Sequence, residues 1–265
     1  MFRIVRFFVV SALLFGVAGS LSFLHSAESE PSKPYIFLFS GPKGSGRSRL
    51  VVKVHTLFSV PLISTAELVM DHIHDDSELG KMAREQASKS CAFSNEYFFD
   101  ALFERIGAGG CQKGFILDGM PRTLDQAHSL YSKLSNTFNI LAFHIDVADA
   151  WLINRVEGRL VCPTCGKVYY SDEGEDESKM VCETCHTPLQ RRQQDTPEVI
   201  ADSLKKDHIE MDPIVKFYAN KNILVTVRGD RTIDEMFNDI VKIIETKTGL
   251  KPSISCRVAD RWLEQ

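Results

Sequence analysis

Residues Tyr35-Ile36-Phe37-Leu38-Phe39-Ser40-Gly41-Pro42-Lys43-Gly44-Ser45-Gly46-Arg47-Ser48 decide the fold. An apolar run of strand length is followed at once by a glycine-rich turn and then by residues with helical periodicity. In the phosphate-loop pattern G-x-x-x-x-G-K-[ST], glycines let several backbone N–H groups converge on phosphate oxygens at a helix N-terminus, where the helix dipole already favours negative charge. Gly41, Gly44, Ser45, Gly46, Arg47 and Ser48 are therefore the candidate phosphate-binding loop, and Ser48 supplies the pattern's magnesium-binding hydroxyl; the loop alone leaves the substrate open. Arg47 stands where the pattern has lysine. Arginine keeps the charge and replaces a compact ammonium with a wide planar fork.

Working outward, near-continuous apolar runs alternate with helical stretches, which predicts a parallel sheet covered on both faces. Five strands are expected: Tyr35 to Phe39, Pro61 to Ser64, Gly114 to Asp118, Asn139 to Asp146 and Ile223 to Val227. Helices are expected over Ser48 to Phe58, Leu79 to Ser88, Asn95 to Ile106, Thr123 to Leu134, Ala148 to Arg155, Pro197 to Ala219 and Thr232 to Thr246. The chain of 265 residues is 44% hydrophobic and 25% charged, ordinary material for one large domain with insertions or two modest ones. A formal net charge of −4 argues against nucleic acid as a partner.

The N-terminus differs in composition. Arg3 and Arg6 precede an uncharged run from Phe7 to Leu24, which at about 18 residues lies between a signal-peptide core and a membrane-spanning helix. Residues 1–33 are read as a signal peptide or membrane anchor. The expectation is an exported or membrane-anchored protein, with a membrane partner through this segment. The alternative is a cytoplasmic protein with a misplaced start.

A second pattern is Cys162-x-x-Cys165 followed by Cys182-x-x-Cys185. Four thiolates at this spacing fit a closed tetrahedral zinc site of the structural kind. The polar insertion between the pairs is too poor in apolar residues to fold without help, so metal ligation would supply its folding energy. In an oxidising compartment the same cysteines would pair as disulfides, and that rival stays open here. Cys91, Cys111 and Cys256 are isolated and read as buried thiols.

The order of these motifs resembles the adenylate kinases, in particular the members with a zinc-binding lid. The likeness spans about Tyr35 to Thr246 and rests on the glycine loop, on Ile63-Ser64-Thr65-Ala66-Glu67-Leu68, on Ser77-Glu78-Leu79-Gly80-Lys81, and above all on Phe115-Ile116-Leu117-Asp118-Gly119-Met120-Pro121-Arg122-Thr123 with Gln126 beyond it. The resemblance implies an α/β fold of the P-loop type, a three-layer sandwich around a five-stranded parallel sheet, with a helical AMP-binding insertion and a zinc-binding lid. It divides 34–265 into a core (34–63, 95–155 and 196–248), a nucleoside-monophosphate-binding insertion (64–94), a lid (156–195) and a C-terminal tail (249–265). The implied activity is transfer of the γ-phosphoryl of ATP to AMP or a related nucleoside monophosphate by a monomer, with Mg2+ accompanying ATP and a structural Zn2+ in the lid. Arg47, Asp118, Arg122, Arg159 and Arg192 are the implied catalytic residues, and Arg155 and Arg159 join the loop in holding ATP. Thr65, Phe93, Gly119, Arg122 and Gln126 would hold AMP.

Physical chemistry gives the same positions tasks. Phosphoryl transfer needs positioning and positive charge around the moving group, so arginines should converge. Arg122 follows the carboxyl end of a strand, the edge where open α/β sheets bind ligands, and its fork can grip a phosphate. Asp118 at that edge is placed to orient magnesium and its waters. Several positions depart from the family: besides Arg47, Met70 and Ser203 stand where arginines meet phosphate, Gln194 replaces a lid carboxylate, and Arg49 replaces a threonine. These losses leave a second reading, a catalytically inactive nucleotide-binding or zinc-stabilised module of the same fold.

Overall fold

The apolar run after residue 34 forms β1 (Tyr35–Ser40), and it lies at the centre of the protein in a computed structural model that describes residues 33–74, 76–88, 94–171, 176–192 and 195–253. Residues 1–32, Cys91, Phe93, Gln194 and Cys256 fall outside the described residues. Parallel neighbours β3 (Gly114–Asp118) and β4 (Asn139–Asp146) flank β1, with β2 (Leu62–Ser64) and β7 (Leu224–Arg228) at the edges, giving the order β2-β3-β1-β4-β7. The strand pleat sorts side chains to the two faces. Ile36 and Leu38 join Phe115, Leu117, Ile140 and Ala142 in one core, while Phe37 and Phe39 join Ile116, Leu141, Phe143 and Ile145 in the other. A sheet buried on both sides explains why these strands read as unbroken apolar runs rather than alternating ones.

One face is covered mainly by α2 (Thr65–Ile73), α3 (Glu78–Ser88), α4 (Asn95–Gly107) and α5 (Leu124–Leu134), the other by α1 (Arg47–Phe58), α6 (Asp149–Glu157) and α8 (Ile233–Thr248). The long helix α7 (Pro197–Asn220) feeds Leu204 into one core and Ile214 and Tyr218 into the other. The helices start where side chains satisfy their first amides: Ser94 accepts from Tyr97 N, Thr123 from Gln126 N, and Thr232 with Glu235 forms a reciprocal capping box. Helix α1 is the exception. Its N-cap is Gly46 in the left-handed region at φ 87°, with no capping side chain and no acidic residue in the first turn, so its free amides face outward for an anion.

Helix α2 was not among the helices expected from the sequence. Ser64 ends β2 and caps α2 at once, its Oγ accepting from Ala66 N at 3.3 Å. A strand that runs directly into a helix leaves no turn residues between two apolar patterns, and the start signal Ser64-x-x-Glu67 was the mark that could have separated them.

Between α6 and α7 the chain forms a small outlying hairpin, β5 (Arg159–Val161) antiparallel to β6 (Val168–Tyr170), extended by bridges Val161 to Gln190 and Val181 to Pro188. Among the described residues its buried apolar centre is Leu160, Cys162, Cys182 and Leu189, with Tyr169, Met180 and Cys185 packed at its edge.

Candidate functional site

The glycine loop crosses from β1 to α1 at the carboxyl edge of the sheet and forms one wall of a cleft of about 560 Å³. Gly41, Gly44, Ser45, Gly46, Arg47 and Ser48 line it, facing Gly119 and Arg122 from the turn after β3, Arg155 from α6, and Arg159 at the start of β5. Five arginines, Arg47 and Arg49 from α1 with Arg122, Arg155 and Arg159 from three other parts of the chain, therefore meet a loop of backbone amides, the arrangement needed to hold a polyphosphate. Ser45 Oγ, Arg47 Nε and Asp118 Oδ1 are buried without a hydrogen-bond partner. Buried polar atoms without partners are rare; those of Ser45 and Arg47 belong to residues that line the cleft, and Asp118 ends β3 next to the lining residue Gly119, a set that suits a bound nucleotide with its Mg2+. Arg47, the substituted loop residue, is thus turned into the cleft region with donor capacity to spare.

Some residues expected at the site stand behind it. Thr65 is buried against Gly119, where a Cβ would fall 2.2 Å from Thr65 Oγ1 and where φ is 87°, so the chain can pass only as glycine. Gln126, also buried, accepts from the Arg122 amide at 2.7 Å and donates to Asn95 Oδ1 at 2.8 Å, so it shapes the backbone that carries Arg122. The Arg122 side chain is folded back, its Nε donating to Gly119 O at 3.0 Å. Gly119→Ala should therefore cost about 1 to 3 kcal/mol in a chemical-denaturation midpoint series, through strain and the displaced Thr65.

Arg192 is exposed and does not line the cleft. Its neighbour Arg191 is held by Glu177, and the carboxylate that reaches back to the cleft cations is Asp195, paired with Arg159 through Nε to Oδ2 at 2.8 Å and through Nη2 to Oδ1. Asp195 holds the Arg159 guanidinium even more firmly protonated than usual. Met70 is exposed on α2 and Ser203 lies on α7; neither lines the cleft.

Arg155, expected at the donor site, does line the cleft; it sits 5.0 Å from the Trp151 ring and 5.1 Å from the Tyr170 ring, stacking that no motif announces. Sequence reasoning missed Asp207, Glu210 and Met211 of α7, which also line the cleft. They are one helical turn apart, and only that spacing could have suggested a shared face. A second hollow adjoins the first, lined by Trp151, Arg155, Thr232 and Ile233 among others.

The four cysteines come together as two knuckles. Gly166 N donates to Cys162 O at 2.9 Å and His186 N to Cys182 O at 2.8 Å, with Gly166 and His186 both at positive φ. The four sulfurs lie within 4.8 Å of one another, with Cys165 and Cys182 at 3.7 Å. A tetrahedron of Zn–S bonds puts sulfurs about 3.8 Å apart, whereas a disulfide needs about 2.05 Å. All four are free thiols, so the geometry fits zinc and the disulfide rival falls. Cys111 is a buried thiol as expected.

The family model described as "Adenylate kinase" matches residues 39–223. Among curated proteins, the chain is 34% identical over 206 residues to the adenylate kinase of Caldanaerobacter subterraneus subsp. tengcongensis, covering 77% of this chain and 93% of that one. It is 32% identical to the adenylate kinase of Oceanobacillus iheyensis over 79% of this chain and 99% of that one, and 32% identical to that of Chlamydia pneumoniae over 80% and 99%. Nothing in these likenesses favours the inactive-module reading.

The expectation of export or membrane anchoring does not stand. It rested on residues 1–33 alone, and the relatives found are adenylate kinases matched over 93% and 99% of their own length. Among the described residues no helix is long and apolar enough to cross a membrane.

Proposed function

Because the chain belongs to the adenylate kinase family, whose reaction moves the γ-phosphoryl group of ATP to AMP with Mg2+, we propose that this transfer takes place in the cleft between the glycine loop and Arg122. The observation that carries this placement is the meeting of uncapped α1 amides with Arg47, Arg122, Arg155 and Arg159 around one hollow. The ATP phosphates lie on the loop amides from Gly41 to Ser48, with Arg47 in place of lysine. The nucleobase of ATP extends into the second hollow, where the Arg155 plane stacked on Trp151 offers a flat surface. AMP enters from the Gly119 side, its phosphate on Arg122, with Thr65 and Gln126 shaping that wall. Asp118, at the end of β3, would help hold the magnesium that accompanies ATP, and that ion would neutralise phosphate charge there.

Phosphoryl transfer requires little covalent chemistry from the protein, and the arginines act by neutralising charge that spreads over the moving group. Core, insertion 64–94, lid 156–195 and tail 249–265 divide the work: the core fixes the loop, the insertion receives AMP, and the lid carries Arg159 and excludes water.

The test is a coupled assay of ADP formation with ATP, AMP and magnesium. Arg122→Ala and Asp118→Asn are each expected to lower kcat/KM by about two to four decades, since each removes a charge-assisted contact to phosphate or to its metal. Turnover at the wild-type rate in both variants would remove the cleft from the reaction. Arg47→Lys, which restores the generic loop cation, should keep or raise the rate.

A further inference from the structure

Asp207 lies on α7, outside every motif, yet its Oδ2 accepts a hydrogen bond from the Lys43 backbone amide at 2.9 Å. We infer that Asp207 is a positioning residue for phosphoryl transfer, a strut that holds the crest of the glycine loop in the shape that receives the donor's phosphates. The inference rests on the proposed placement of those phosphates on the loop.

The loop packs against Ile145, Val156 and Ile233, but few hydrogen bonds hold its crest. Gly41, Gly44 and Gly46 all adopt positive φ, and the one internal bond is the turn from Ser45 N to Pro42 O at 3.1 Å. Glycine has the most conformational freedom to lose on ordering, so a loop built from it needs an external tie. Among the described residues, Asp207 is the only side chain hydrogen-bonded to the backbone of residues 41–46. A bond from a neutral amide to a carboxylate is about twice as strong as one between neutral groups.

The strut is itself anchored. Leu204 and Ile214 on either side are buried, and the adjacent His208 is bonded through Nε2 to Asp149 Oδ1 on α6 at 2.8 Å. The consecutive pair Asp207-His208 thus fastens α7 both to the loop and to the helix that carries Arg155. Asp207 also lines the cleft, so its negative charge has a second conceivable effect, repulsion of the donor's phosphates. The two effects have opposite signs, which makes the strut testable.

The experiment measures kcat and KM for ATP and for AMP separately in the full-length wild type, D207A and D207N. Asp207 is only half-buried and alanine is favoured in helices, so D207A should fold, and a thermal melt checks it. A strut predicts that D207A raises the ATP KM about tenfold while the AMP KM stays within about twofold. D207N, whose amide oxygen can still accept from the Lys43 N–H, should return to within about threefold of wild type. The Lys43 amide gives a direct readout: its hydrogen exchange should be slow in the wild type and in D207N and faster in D207A. A lower ATP KM in both variants, an equal rise in both KM values, or Lys43 amide exchange unchanged in D207A would overturn the strut. Arg47→Ala separates the premise from the inference. If it raises the ATP KM while D207A does not, the strut alone falls; if it leaves the ATP KM untouched, the donor lies elsewhere and the strut falls with its premise.

Discussion

Arg159→Ala is expected to lower kcat by about three to five decades, the range for an arginine that meets the charge of a transferring phosphoryl group. Its guanidinium has five N–H donors, and the fork to Asp195 engages Nε and Nη2, leaving donors free on the group that lines the cleft. The loss in rate will be mixed with a loss in stability, because the Asp195 side chain is only 3% exposed and would be left as an unpaired buried charge. Breaking such a pair from one side costs about 3 to 5 kcal/mol. The two effects separate in the double variant Arg159→Ala with Asp195→Asn, which removes the stranded charge. Its melting temperature should recover most of the loss while kcat stays low. Recovery of both would mean that Arg159 is a structural half of an ion pair and that the phosphoryl group is served by other cations. Arg159→Lys should fall between, since it keeps the charge and loses the planar fork.

What was legible in the sequence follows from how locally each feature is specified. Strands such as Tyr35–Ser40 and Asn139–Asp146 lie between two apolar layers, so each announces itself as an apolar run within one residue of its bounds. The glycine loop and the cysteine pairs are legible for the same reason, since backbone geometry and metal coordination restrict residue type position by position. Helix α2 was not legible as a helix, because β2 ends and α2 begins at the single residue Ser64. The partners that complete the cleft are set by tertiary packing. Asp195, rather than Arg192, is the residue paired with Arg159 at the start of the hairpin, and Asp207 bonds to a loop residue 164 positions away. No local pattern encodes such pairs: each is an ordinary charged residue in its own helix or turn.

Removing zinc, by a chelator or by Cys182→Ser, should abolish phosphoryl transfer almost as completely as losing Arg159, while leaving the five-stranded sheet folded. Among the described residues the hairpin's buried apolar centre is four residues, two of them cysteines, and full burial of a residue of leucine size contributes only about 1.5 to 3 kcal/mol. Metal ligation in comparable small zinc modules contributes about 10 to 16 kcal/mol, so the metal decides whether the hairpin exists. Cys182 is fully buried, and its amide is tied to Thr187 O at 2.9 Å, so serine at this position loses a ligand at the centre of the knuckle. Arg159 begins β5 and Asp195 follows the last bridge of the hairpin, so melting it unfastens the cation from the cleft even though neither residue binds zinc. The two cores on either side of the sheet share no residue with the hairpin and should keep their cooperative melt. The measurements are metal content, activity, and limited proteolysis, which should cut between residues 160 and 190 only after zinc is lost. A zinc-free chain that keeps full activity and resists cleavage there would show that the hairpin folds without its metal, and that the four thiols serve something other than structure.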